Sequence, residues 1–159
     1  MLTVEHDGNS TDSREEADAI VAAITGMLGS DWSDEDGTRP LTAADVLIVT
    51  PYNAQVVLLR RLLDAAGLAD VQAGTVDKFQ GRQAPPVVFV SLVASSIAEV
   101  PRGISFLLNR NRLNVAVSRA KYAAVIVRSA MLTDYLPSTP PGGLVELGAF
   151  FLAMCDRPT

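Results

Sequence analysis

Arginine, asparagine and lysine punctuate an otherwise apolar stretch, RNRLNVAVSRAK, at residues 110–121. On a helix, Arg112 and Arg119 stand seven residues apart, close to two turns, so their guanidiniums share a side. Leu113, Val117 and Ala120 form the apolar side of that helix. Two aligned guanidiniums make a fork of donors suited to a phosphate, or they pair with carboxylates at a domain surface. The spacing alone leaves both open. A second polar segment, TVDKFQGRQ at 75–83, sets Asp77 and Lys78 ahead of Gln80 and Gly81. Gly81 permits a tight turn, and the Gln80 amide both donates and accepts. A third, TPYNAQ at 50–55, follows directly on an apolar run. No GxxxxGK[ST] or other glycine-rich phosphate loop occurs. The chain therefore carries no cradle of its own for the β- and γ-phosphates and their magnesium ion.

The elements that must position these residues alternate between strand and helix. Residues 2–6 alternate in polarity, as a short strand does. Ser13, with Glu16 three residues on, matches a capping box, and Ala17, Ile20, Val21, Ile24 and Leu28 continue at helical spacing up to Gly29. The acidic, Gly/Pro-containing segment Ser30–Pro40 reads as a surface loop and the first candidate for disorder, with Trp32 packing back as its anchor. Val46–Val49 and Val87–Ser91 are continuous apolar runs, expected of strands buried on both faces of a parallel sheet. A helix is expected from Asn53 to Ala66 with Gly67 closing it, then a short strand at Val71–Ala73 and a helical turn within Thr75–Gly81. Further helices are expected at Arg110–Ala120 and Leu144–Met154, either side of a strand at Ala123–Val127 and a proline-rich loop at 136–143. This pattern predicts an α/β fold, a parallel sheet between helical layers, in one domain spanning 1–159. Ligands in such sheets bind beyond the carboxyl ends of the strands, and all three polar segments are expected near that edge.

Composition narrows the function classes. The chain has 159 residues and a net charge of −5. Residues 1–50 carry a net −9, whereas residues 99–128 carry a net +5, so a local basic face coexists with overall acidity. Local potential decides whether phosphate is attracted; a merely solvated basic face is the plain alternative. A single cysteine, Cys155, excludes an internal disulfide and fits a reducing compartment such as the cytoplasm. No apolar run reaches the roughly 18–20 residues that cross a bilayer. His6, the one histidine, lacks partners at metal-ligand spacing and reads as structural or solvent-facing. The acids at 31–36 lack the order of a calcium loop. No metal site is expected.

Taken in order, the three segments resemble the late motifs of superfamily 1 helicases, in the branch holding the nonsense-mediated-decay helicase and the Dna-type nuclease–helicases. VLIVTPYNAQ is similar to motif IV, GTVDKFQGRQ to motif V and RLNVAVSRAK to motif VI, over about residues 45–128. That family pairs two RecA-like domains, with ATP in the cleft between them and single-stranded nucleic acid across the top. The resemblance implies that this chain is the second, RecA-like, domain, that ATP with Mg2+ is held mainly by the first, and that the substrate is single-stranded DNA or RNA. It implies that Arg119 reaches the γ-phosphate as an arginine finger, with Arg112 supporting it. Gln80, Gly81 and Gln83 would lie on the nucleotide side. Thr50, Pro51, Tyr52 and Thr75 would face the strand, and Lys78 is a further phosphate candidate. The partners implied are the first RecA-like domain and, from some bacterial members, a fused RecB-like nuclease, with translocation 5′ to 3′ and no membrane. Two features depart from the pattern. Gln83 replaces the family's motif V glutamate, with Pro85-Pro86 where an acid usually follows soon after, and the tyrosine-arginine-methionine motif that opens this domain is absent. Met1 therefore reads as a fragment start. The competing expectations are a non-catalytic interaction module with a RecA-like fold, and an unrelated small α/β nucleotide-binding domain.

Overall fold

A computed structural model of the chain describes residues 1–79, 85–107, 117 and 120–134. Five parallel strands form its sheet: β1 (Leu2–Val4), β4 (Val46–Val49), β5 (Gln72–Gly74), β6 (Val87–Ser91) and β7 (Ala123–Ser129), in the order β1-β7-β6-β4-β5. The register sets Val46 beside Val87 and Val87 beside Ala123. Successive side chains of a strand point to opposite faces. Val46, Ile48, Val87 and Phe89 accordingly pack with α1 (Arg14–Met27) and α2 (Asn53–Ala65), through Ile20, Ile24, Leu59 and Leu63. Leu47, Val49, Val88 and Val90 pack on the other face with Phe79, Val100, Leu107 of α3 (Ile104–Leu107) and Leu132 of α4 (Met131–Asp134). Both layers bury the sheet, so its central strands are continuously apolar. The architecture is the RecA-like α/β sandwich expected from the sequence.

Several local expectations shift. The strand expected at Val71–Ala73 lies one residue later. Segment 30–40 is not an irregular loop: β2 (Asp31–Asp34) and β3 (Gly37–Pro40) pair antiparallel as a hairpin, with Trp32 opposite Arg39. Gly37 at φ +125° supplies the left-handed residue the turn needs, and the Asp34 carboxylate accepts from Asp36 N. Trp32 does pack back; it is buried, and the Arg39 guanidinium lies 4.8 Å from its ring centroid. Arg39 also forks onto Asp45, with Nη1 donating to Oδ2 at 2.7 Å.

The start of α1 departs from a capping box. Ser13 Oγ accepts from Glu16 N at 3.1 Å as expected, but Glu16 does not return to the Ser13 N–H. Gln55 Oε1 takes that N–H at 2.8 Å, and the Glu16 side chain turns inward. The helix expected at Arg110–Ala120 lies largely outside the described residues; Val117 and Ala120, which are described, pack against the sheet as part of its apolar side. The segments expected at 136–143 and Leu144–Met154, with Tyr135 and Cys155, also lie outside them.

Candidate functional site

The strand order reverses between β4 and β6: β5 lies on one side of β4, and the chain returns to place β6 on the other. A crevice opens at the carboxyl ends of strands at such a switch point. Here a cavity of about 230 Å³ occupies it, lined by the end of β4 (Thr50, Pro51, Tyr52), the residue after β5 (Thr75), the end of β6 (Leu92) and the α3 segment (Arg102, Phe106). Four of the five residues expected to face a strand thus share one wall.

Their local geometry follows from the backbone. Thr50 N donates to Gly74 O at 3.1 Å, which extends the β4–β5 ladder by one bond and keeps Thr50 beside Thr75. Pro51 ends the strand, and Tyr52 stands at the N-cap of α2 without a side-chain capping bond. The Tyr52 ring meets Phe106 at 6.1 Å between centroids, tilted 38°. Arg102 lies over the far ring, its guanidinium carbon 4.8 Å from the Phe106 centroid. Burial pushes the Tyr52 phenol above its ordinary value, partly offset by the positive charge of Arg102.

Two polar atoms in this wall have no hydrogen-bond partner among the described residues. Thr50 Oγ1 and Tyr52 Oη are both buried and unsatisfied. A buried hydroxyl left unpaired costs about 1–3 kcal/mol, so most are paired. A pair of them in one cavity is a cost that a bound acceptor would offset.

Lys78 is not brought to this wall. It is exposed and lines a separate cavity between α2 and β5 with Arg60 and Asp64. Arg112, Arg119, Gln80, Gly81 and Gln83 lie outside the described residues. The described residues on either side of them show where the second and third segments meet the sheet. Thr75 opens the second segment at the carboxyl edge, but Pro85-Pro86 deliver it to the amino end of β6. Lys121, closing the third, stands beside them: its N–H donates to Pro85 O at 3.0 Å, and Tyr122 N donates to Pro86 O at 2.9 Å. The physical reason is topological: Pro85-Pro86 lead into β6 and Lys121 into β7, and a chain entering a parallel strand must return to its starting end.

Sequence reasoning missed Arg102, Phe106 and Asn53, which also line the cavity. A usable signal existed for the first two, a base and an aromatic within the basic stretch 99–128. It missed Gly74 as well, where an added Cβ would lie 2.7 Å from the Phe79 ring. Glycine there lets Phe79 close over the end of β5.

The sequence model of the AAA domain family matches residues 3–131. The chain is 43% identical over 106 residues to the DNA polymerase alpha-associated DNA helicase A of Schizosaccharomyces pombe, covering 67% of this chain and 14% of that protein. It is 39% identical over 80 residues to an uncharacterized ATP-dependent helicase of Methanocaldococcus jannaschii, covering 50% and 11%. It is 36% identical over 97 residues to the regulator of nonsense transcripts 1 homolog of Neurospora crassa, covering 57% and 8%. The chain thus spans no more than 14% of these relatives' length. A match over most of the chain, on a RecA-like sheet with its crevice at the switch point, assigns the family: the chain belongs to the AAA domain family and is homologous to superfamily 1 helicases.

Proposed function

We propose that the chain is the second motor domain of an ATP-dependent superfamily 1 helicase or translocase, and that its switch-point cavity faces single-stranded DNA or RNA. The observation that carries the strand-facing part is the pair of unpartnered hydroxyls, Thr50 Oγ1 and Tyr52 Oη, beside Thr75. Nucleic-acid backbones present acceptor oxygens, and phosphate contacts from hydroxyl and backbone donors position a strand without reading its sequence. The helicase relatives and the ordered motifs support the motor part. On this reading Arg119 crosses the cleft and places a permanent positive charge where charge develops on the γ-phosphate. Arg112 supports it, Gln80 and Gly81 link the nucleotide side to the strand side, and Gln83 offers a neutral hydrogen bond to the ribose. Lys78, away from the cavity wall, is left as a peripheral phosphate contact.

Among the described residues no group of three or more His, Cys, Asp or Glu side chains stands close enough to hold a metal ion. In the complete motor the first RecA-like domain supplies the magnesium site, together with the phosphate loop. A fused RecB-like nuclease is a further proposed neighbour, and the cytoplasm the proposed compartment. Among the described residues, no helix is long and apolar enough to cross a membrane.

The test is ATP turnover. In the complete protein, Arg119→Ala should lower the rate by roughly 1,000-fold while leaving strand binding in place. The isolated chain should hydrolyse no ATP; steady turnover by it, abolished in Arg119→Ala, would overturn the two-domain reading. The substitution at Gln83 favours a second reading, a non-catalytic interaction module. It expects Arg119→Ala to leave turnover in the complete protein unchanged.

A further inference from the structure

We infer that Glu16 is a positioning residue for the switch-point cavity: its buried carboxylate holds the chain after β6 in a left-handed turn that sets the cavity wall. Val93 is the one non-glycine residue with positive φ among the described residues, at +74°. Valine is ill suited to it, because a branched Cβ crowds the backbone in that region. The turn is tight: Ala94 N donates to Leu92 O at 2.8 Å, closing three residues around Val93. Such a conformation persists only where its surroundings over-determine it.

Glu16 supplies that determination. It is fully buried, and its Oε2 accepts from Ser91 Oγ at 2.6 Å and from Val93 N at 3.1 Å, one donor on each side of Leu92. Its Oε1 lies 3.1 Å from His6 Nε2, and His6 Nδ1 lies 2.7 Å from Ser95 Oγ. Residues 91–95 are thereby clasped from both ends, by Glu16 of α1 and by His6 just past β1. On the far side, Gln55 Nε2 donates to Ser91 Oγ at 3.2 Å, which ties the same hydroxyl to α2, the helix that Tyr52 begins. Leu92, between the two donors to Glu16, lines the cavity, and the chain beyond the turn carries Arg102 and Phe106 to its opposite wall. A network of this kind, fully satisfied and away from water, specifies one backbone conformation. Without the carboxylate, Val93 relaxes to negative φ and Leu92 leaves its place.

The inference rests on the reading that this cavity faces nucleic acid, and two measurements keep the claims separate. Binding is read by anisotropy of fluorescein-labelled oligo(dT) and oligo(U); the turn is read by amide hydrogen exchange over residues 91–95. Glu16→Ala should weaken strand binding by about tenfold and speed exchange at 91–95. Glycine adopts positive φ without strain. Adding Val93→Gly should therefore recover most of both losses, whereas adding Val93→Ala, which also removes buried methyls, should recover neither. A carboxylate serving only core stability would give no such selective rescue, and its absence overturns the inference, as does unchanged exchange in Glu16→Ala. If Glu16→Ala does not fold, Ser91→Ala removes one donor and should give the same pattern at about threefold. Should the unaltered chain bind neither strand, the nucleic-acid reading falls, and exchange alone decides whether Glu16 holds the turn.

Discussion

Thr50 and Tyr52 hold the two hydroxyls that, among the described residues, are buried without partners. Their isosteric replacements separate stability from function. Thr50→Val and Tyr52→Phe each remove an unsatisfied polar group, so melting temperature should stay level or rise. Affinity for a single strand should fall by about three- to tenfold, one hydrogen bond's worth. Lower stability with unchanged affinity would mean that the hydroxyls have partners within the chain. Both residues were legible in the sequence, because a hydroxyl, a proline and an aromatic directly after a buried strand have little choice but to sit at its carboxyl end. Glu16 was not. Its spacing from Ser13 is the local signature of a cap, but the carboxylate is claimed by Ser91 and Val93, more than seventy residues away. Arg102 and Phe106 carried a signal as a base and an aromatic in the basic stretch 99–128, but only the return of the chain through β6 shows that they stand against Tyr52.

The hairpin of β2 and β3 shows how an element can look disordered in sequence and still be built. Its DEDG tip and exposed faces carry no apolar alternation, so no strand signal exists. What fixes it is one buried ring and one ion pair. The Arg39 guanidinium, through its hydrogen bonds, and then the Thr42 N–H hold the Asp45 carboxyl well below the usual carboxylate range. A depressed folded value means that the contribution is complete above the unfolded value, about 4, and is lost as pH falls below it. The hairpin should therefore loosen on acidification before the sheet unfolds. Trp32 is the single tryptophan, so its emission reports this directly: Asp45→Asn should shift the spectrum to the red at neutral pH and remove the acid transition. An unshifted spectrum would show that ring burial alone docks the hairpin. Strands β4 and β6, by contrast, were legible to the residue, because burial on both faces demands an unbroken apolar run.

At the scale of the molecule, charge and topology work on the same axis. The hairpin and the start of α1 concentrate acid, while the stretch 99–128 concentrates base and carries Arg102 to the switch-point cavity, so the net −5 does not by itself exclude a phosphate-bearing partner. Strand binding should weaken steeply with added salt, the slope of log affinity against log salt counting the phosphates engaged. A flat dependence would exclude a phosphate-led contact. The feet of the hairpin are bonded to each other, Gly29 N to Leu41 O and Leu41 N to Ser30 O, and it stands by the amino ends of the strands, opposite the Thr50–Tyr52 wall. Whatever is grafted at Glu35-Asp36 thus sits at the end of the sheet away from the Thr50–Tyr52 wall, on a hairpin held by Trp32 and the Arg39–Asp45 pair. A tether or surface anchor placed there would present every copy of the domain in one orientation, with its carboxyl edge outward and free to meet a strand.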